Sequence, residues 1–110
     1  MYIVIKEDNG FTNPMTIVIK HDSVTIEEDE KIKVLKYNKD QIKKIMEGFL
    51  NVFKSWHSKY IGKSVLNNDI YTITIVTTKT IEYYIENKYP DNWENFIMLK
   101  NHLIKETLKV

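Results

Sequence analysis

The sequence predicts an α+β fold, in which an antiparallel sheet of five or six strands carries two amphipathic helices on one of its faces. Short apolar runs separated by polar turns fill the first third of the chain and recur near residue 75, which is typical of antiparallel strands. Two longer stretches place apolar residues three and four positions apart, as helices that pack on a sheet do. The 110 residues, 43% of them apolar, are expected to form a single α+β domain over 1–110.

The first third is predicted to be a meander of short strands. It contains four runs of β-branched and apolar residues, which are Tyr2–Lys6, Thr16–Lys20, Val24–Glu27 and Lys31–Tyr37. The third run alternates through Val24 and Ile26. The fourth alternates again through Ile32 and Val34, after the acidic turn Glu28-Asp29-Glu30.

The first helix is predicted to begin at Asn38. This residue type is a good N-cap, and Gln41 three positions later completes a pattern close to a capping box. An apolar stripe at helical spacing follows, formed by Ile42, Ile45, Met46, Phe49, Leu50, Phe53, Trp56 and Tyr60. Gly62 is the expected end of this helix.

The next two strands, Ile70–Val76 and Thr80–Glu86, are predicted to form a hairpin. Their large apolar side chains share one face only in one register, which pairs Ile75 with Ile81, Ile73 with Tyr83 and Tyr71 with Ile85. This register requires an odd-numbered loop centred on Thr78 instead of a two-residue turn, and no glycine is present to favour such a tight turn.

A second helix is predicted after Pro90, with Asp91 as its N-cap and Glu94 at the capping-box position. Its broad apolar stripe is Trp93, Phe96, Ile97, Leu103, Ile104 and Leu108. Met98 projects away from this stripe. Both tryptophans, Trp56 and Trp93, are expected to be buried between the helices and the sheet.

The second half of the chain resembles a pattern found at the end of many small uncharacterised bacterial and phage proteins. The pattern is an aromatic-bearing helix, an Asp-containing loop, an alternating hairpin, and Tyr-Pro-x-Asn-(aromatic)-x-x-Phe at the start of a final helix. Here it is formed by Trp56 and Tyr60, Asn68-Asp69, Tyr71–Ile75, Ile81–Ile85 and Tyr89–Phe96. Asn87-Lys88 stands where the pattern has glycines. The resemblance implies helices packed on an antiparallel sheet, and it carries no activity.

Composition excludes several classes of site. The chain has no cysteine, which removes disulfides and thiolate metal sites, and all 16 basic residues are lysine, which removes bidentate recognition by arginine. No apolar run reaches the length of a membrane span, and the order of residues at the start does not fit a signal peptide, so a cytoplasmic location is expected. The absence of alanine, with abundant Ile, Lys and Asn, indicates the AT-rich genome of a low-GC bacterium or its phage.

The histidines offer no catalytic or metal site. His21-Asp22-Ser23 contains the residue types of a catalytic triad, but adjacent residues cannot adopt its geometry. His57 is interpreted as partly buried and hydrogen-bonded, and His102 as exposed. No pair has the spacing of a helical zinc site. We therefore expect a protein that is not an enzyme, with no catalytic residues, metal or cofactor.

Nucleic-acid binding is the alternative function. Lysines that could contact phosphates cluster on the outer side of the first helix, at Lys39, Lys43, Lys44 and Lys54, with Lys36 beside them. The near-neutral pI of about 7.9 disfavours a dedicated nucleic-acid-binding protein. Nucleic acid is accordingly the less favoured partner.

The favoured function is non-enzymatic binding of a protein partner, as an accessory factor such as an immunity or anti-defence protein that acts by occlusion. The predicted partner-binding residues lie on the polar face of the hairpin, where Tyr84 is surrounded by Thr72, Thr74, Glu82 and Glu86. The free edge of this hairpin is also expected to accept a strand from a partner or from a second copy in a homodimer. The acidic segment Glu27–Glu30 is interpreted as a solvated turn, with docking to a basic partner as the alternative.

Overall fold

The computed structural model describes residues 1–10, 13–64 and 68–109. They form the strands β1 (Tyr2–Asp8), β2 (Met15–Ile19), β3 (Ser23–Glu28), β4 (Lys31–Lys36), β5 (Lys59–Ile61), β6 (Ile70–Val76) and β7 (Thr80–Glu86), and the helices α1 (Lys39–Phe53) and α2 (Trp93–Thr107). The predicted α+β class is confirmed. The described residues form seven strands instead of five or six, because β5 was not predicted.

All described strands belong to one sheet, with the order β4-β3-β2-β1-β6-β7-β5. The first four strands form the predicted antiparallel meander. The hairpin of β6 and β7 then joins it through an antiparallel pairing of β6 with β1. The short strand β5 runs parallel to β7 at one edge of the sheet, so the sheet is mixed but largely antiparallel.

The registers place every buried apolar side chain of the strands on one face, which we call the inner face. These residues are Ile3, Ile5, Ile17, Ile19, Val24, Ile26, Tyr71, Ile73, Ile75 and Ile85. Both helices pack on this face, with Phe49 and Phe53 of α1 and with Phe96 and Leu103 of α2 fully buried. The opposite side of the sheet, the outer face, carries no helix among the described residues.

The register predicted for the hairpin is confirmed. Ile75 pairs with Ile81, and the strands close at the pair Val76 and Thr80. The loop therefore contains three residues centred on Thr78, and the backbone N–H of Thr77 donates to the carbonyl oxygen of Lys79 at 2.8 Å.

The capping box at the start of α1 is confirmed, but the predicted end of the helix is wrong. Asn38 and Gln41 exchange hydrogen bonds between side chain and backbone at 2.9 and 3.0 Å. The helix ends at Phe53, and Gly62 lies after β5, where its N–H donates to the carbonyl oxygen of Glu86 at 2.7 Å. Trp56 continues the helical spacing although it lies beyond the helix.

The predicted N-cap of α2 is also wrong. Asn92 occupies that position and Asp91 is exposed. The side chain of Asn92 does not cap α2, because it links the two helices instead. Its Oδ1 accepts from Nε1 of Trp56 at 2.6 Å, and its Nδ2 donates to the carbonyl oxygen of Val52 at 3.0 Å.

The two tryptophans differ in burial. Trp56 is 8% exposed, as expected, whereas Trp93 is only partly buried. Their rings stack with centroids 5.8 Å apart. Neither helix in the described part of the chain is long and apolar enough to cross a membrane.

Candidate protein-interaction surface

The fold leaves the outer face of the sheet without a second layer in the described part of the chain. One row of directly paired residues crosses five neighbouring strands of this face. We call it the central row, and it consists of Val34, Thr25, Val18, Val4 and Thr74. All five side chains are β-branched. Val34 is 46% exposed and the other four are half-buried, because side chains on neighbouring strands flank them.

The apolar alternation of β4 contributes to this face. Ile32 is 61% exposed, and with Val34 it lies on the outer face, whereas Lys33 and Leu35 lie on the inner face. The reason is the two-residue turn at Asp29 and Glu30, which fixes the register of β4 against β3. The alternating apolar residues therefore do form a strand, but Ile32 and Val34 face away from the core.

The structure brings together the five predicted partner-binding residues, which we call the hairpin patch: Thr72, Thr74, Glu82, Tyr84 and Glu86. Thr72 pairs with Tyr84 and Thr74 pairs with Glu82, so all five side chains lie on the outer face beside the central row. Thr74 belongs to both features. The hairpin patch thus continues the central row toward β7.

Hydrogen bonds within the chain hold part of the hairpin patch in place. The hydroxyl of Tyr84 donates to Oε2 of Glu86 at 3.1 Å, and Nδ2 of Asn68 donates to Oε1 of Glu86 at 2.7 Å. Desolvation, followed by the hydrogen bond to Glu86 and its charge, raises the pKa of Tyr84 above its usual value. Tyr84 is thus a half-buried neutral aromatic side chain, and Glu82 beside it is exposed.

The prediction of a free hairpin edge is wrong over half of β7. β6 pairs with β1, and β5 pairs with the end of β7 from Tyr84 to Glu86. The N–H of Tyr84 donates to the carbonyl oxygen of Ser58 at 2.9 Å. On β7, a partner strand could therefore add only beside Thr80–Tyr83.

The lysines of the alternative nucleic-acid site are all exposed. Lys39, Lys43, Lys44 and Lys54 lie on or next to α1, as predicted. Lys36 lies on β4 instead, at the edge of the sheet. No ion pair joins any of these lysines to an acidic side chain in the described ranges.

The histidines lie apart from one another. His102 is exposed as expected and is 3.9 Å from a carboxylate oxygen of Glu106, and exposed His21 is 3.8 Å from Asp22. The interpretation of His57 as partly buried is wrong, because its side chain is exposed and its backbone N–H donates to the Tyr60 hydroxyl. Within the described residues, no group of three His, Asp or Glu side chains could hold a metal ion.

Sequence reasoning missed a buried ionic cluster on the inner face. Nζ of Lys100 donates to Oε2 of Glu7 at 2.8 Å, and the Tyr71 hydroxyl donates to Oε1 of Glu7 at 2.9 Å. Burial, followed by the charge of Glu7, raises the pKa of Tyr71 far above its usual value. Both carboxylate oxygens are thus engaged, which makes the cluster a link between α2 and the sheet. The sequence feature that could have predicted this cluster is Lys100, a charged residue in the apolar stripe between Phe96 and Leu103.

A small cleft lies beside Trp56, whose ring contacts those of Tyr60 and Trp93. It has a volume of about 280 Å³ and is lined by Ser55, Trp56, His57, Tyr60, Lys88, Tyr89, Pro90, Asp91 and Asn92. The polar atoms of the Trp56, Tyr60 and Tyr89 rings in its wall are already hydrogen-bonded. Tyr89, for example, donates to Oδ2 of Asp69 at 2.6 Å.

Comparison of the chain with protein families, with curated proteins and with solved structures finds no match. The resemblance of its second half to a terminal pattern of small bacterial proteins therefore stays a prediction. The function has to be inferred from the surface.

Proposed function

We propose that this protein is a non-enzymatic binding factor from the cytoplasm of a low-GC bacterium or its phage, and that it occludes a protein partner. An immunity or anti-defence protein would act in this way. The observation that carries the proposal is the outer face, where the central row and the hairpin patch form one continuous surface.

The chemistry of the hairpin patch supports a protein partner. Aromatic residues are enriched at the centres of interfaces, and polar residues form their rims. Tyr84 supplies an aromatic side chain whose hydroxyl is already hydrogen-bonded, so it loses little conformational freedom on binding. Glu82 and Glu86 place two carboxylates beside it. The partner that fits is a protein surface with a basic rim around an apolar centre.

The test compares Tyr84 with an exposed side chain away from the outer face. Once a binding partner has been isolated by affinity capture, Tyr84→Ala should weaken its binding at least roughly tenfold, which corresponds to about 1.4 kcal/mol. Met98→Ala is the control, because Met98 is 70% exposed on α2, and both helices pack on the inner face. Equal binding by the Tyr84 variant and the wild type would contradict the proposal, provided that both unfold at similar temperatures.

The exposed lysines favour a second candidate function, which is weak binding of nucleic acid. Lys43, Lys44 and Lys54 are free to contact phosphates. Binding should then weaken steeply as salt rises, and changing these three lysines to Glu should abolish it. Absence of binding to both single-stranded and duplex DNA or RNA in low salt would eliminate this candidate.

A further inference from the structure

The charges beside the central row are arranged in a way that a second copy of the chain would complement. Lys36 of β4 and Lys20, the residue directly after β2, lie on one side of the row, and Ser23 of β3 lies between them. Glu27 lies on β3 at the other side of the row. The side chains of the row itself are uncharged and β-branched. Within β3, Thr25 of the row lies between Ser23, which is next to the two lysines, and Glu27.

We infer that the outer face binds a second copy of this chain, with the two-fold axis along the central row. Rotation about this axis exchanges the two sides of the row. It therefore places Glu27 of the second copy opposite Ser23, between Lys20 and Lys36, and symmetry makes this contact twice. Each central-row side chain then faces its own counterpart, as in two aligned sheets packed face to face.

Other residues of the face are compatible with this pairing. The same rotation brings Tyr2 opposite Lys6 of the second copy, where an ammonium group can lie against an aromatic ring. Ile32 comes opposite the aliphatic part of Lys36 of the second copy. No like charges face each other directly across the four strands β3, β2, β1 and β6. Glu82 of β7 pairs with Thr74 and would face its own counterpart, so β7 lies outside the paired surface.

The size of the surface fits a weak dimer. Strands about 4.8 Å apart and residues about 3.3 Å apart give the face, across the five strands β4, β3, β2, β1 and β6 and three rows, roughly 450–500 Å² per copy. The total of roughly 900–1,000 Å² is in the size range of weak, transient interfaces. This inference does not rest on the proposed function, but the hairpin patch belongs to the same face, so a second copy and a protein partner would compete for it.

The first test is the oligomeric state of the purified full chain. Sedimentation from about 1 to 500 µM should show a monomer that converts to a dimer as concentration rises, in the range expected for a small interface. Glu27→Lys should weaken the dimer at least tenfold. Adding Lys20→Glu and Lys36→Glu to that variant should restore the affinity to within about threefold of the wild type. All three residues are exposed, so their replacement leaves the core intact.

The second test uses the absence of native cysteine to fix the axis. In a pair of sheets about 10 Å apart, Val18→Cys on the axis should be cross-linked to its counterpart by a short bismaleimide. Ile32→Cys, off the axis, is the control and should react at least tenfold less. A chain that stays monomeric at 500 µM, a dimer that Glu27→Lys leaves unchanged, or equal cross-linking of both variants would overturn the inference. None of these outcomes depends on capture of another protein.

Discussion

Gly62 lies where β5 approaches the end of β7, and the space there excludes any side chain. A Cβ added to Gly62 would lie 2.3 Å from the carbonyl oxygen of Asn87. Asn87 itself has φ of 57°, in the left-handed region that glycine favours. Backbone hydrogen bonds attach the short strand β5 to β7, and the one from the Gly62 N–H to the carbonyl oxygen of Glu86 lies at this close approach.

We expect Gly62→Ala to lower the free energy of unfolding by about 1–3 kcal/mol, because backbone atoms would have to move to accept the methyl group. Gly48→Ala is the control. A Cβ there would meet Leu99 at an ordinary 3.5 Å, within a helix that favours alanine. Urea denaturation of both variants is the measurement, and equal effects would contradict the argument.

Glu30 adopts a strained conformation in the turn between β3 and β4. Asp29 and Glu30 have φ of 51° and 64°, which is the geometry of a type I′ turn that prefers Asn-Gly or Asp-Gly. Glu30→Gly should therefore raise the free energy of unfolding by about 0.5–1 kcal/mol. Glu28→Gly, at the end of a regular strand, should lower it instead. Thermal or urea denaturation is the measurement. If the free energy of unfolding of Glu30→Gly is no higher than that of the wild type, this turn is not strained.

At the scale of elements, the ionic cluster ties α2 to the sheet. The side chain of Lys100 is 8% exposed and that of Glu7 is 21% exposed. Lys100→Met should lower the free energy of unfolding by about 2–4 kcal/mol, because it leaves a largely buried carboxylate without its cation. Adding Glu7→Gln should recover part of this loss. Lys105→Met, at an exposed site of the same helix, should change stability by less than about 0.5 kcal/mol.

Local patterns predicted the elements whose contacts are close in sequence. The hairpin register followed from keeping large side chains on one face, and the start of α1 followed from Asn38 and Gln41. The end of α1 could not be predicted, because Trp56 keeps helical spacing while its indole is held by Asn92, 36 positions away. The strand β5 is three residues long and carries no signal of its own.

The candidate surface was also predictable only in part, because only some of its contacts join residues that are close in sequence. The hairpin patch lies on two strands joined by a short loop, so their register placed its five residues together. The central row depends on the pairing of β1 with β6, which brings Val4 beside Thr74 across 70 positions. No local pattern specifies that pairing. The contact of Lys100 with Glu7 is equally remote.

At the scale of the whole molecule, tyrosines with raised pKa values lower the stability of the fold at alkaline pH. Desolvation is the largest cause that raises the pKa of Tyr71 and Tyr83, and it raises the pKa of Tyr89 to about 12 with help from Asp69. In the unfolded chain these groups ionise near pH 10. Above that pH the unfolded state releases protons that the folded state keeps, so the free energy of unfolding should fall.

We therefore expect the contribution of these tyrosines to the free energy of unfolding to be constant below about pH 9. It should decrease between about pH 10 and 12. Urea denaturation at several pH values measures it. Tyr89→Phe is the control, because the variant should be less stable at pH 8, where the hydrogen bond to Asp69 is lost, but should decline less steeply above pH 10. A wild type equally stable at pH 8 and 11 would contradict this account.

The proposed interaction surface requires a sheet that is covered on its inner face and open on its outer face. Thiol labelling of single-cysteine variants at about 1 µM, below the concentration expected for a weak dimer, tests this directly in a chain without native cysteine. Cysteine at Val18 or Val34 should react at least roughly tenfold faster than cysteine at Ile17 or Ile19, which are fully buried on the inner face. Equal protection at all four positions would show that another layer covers the outer face, and would contradict the proposed interaction surface.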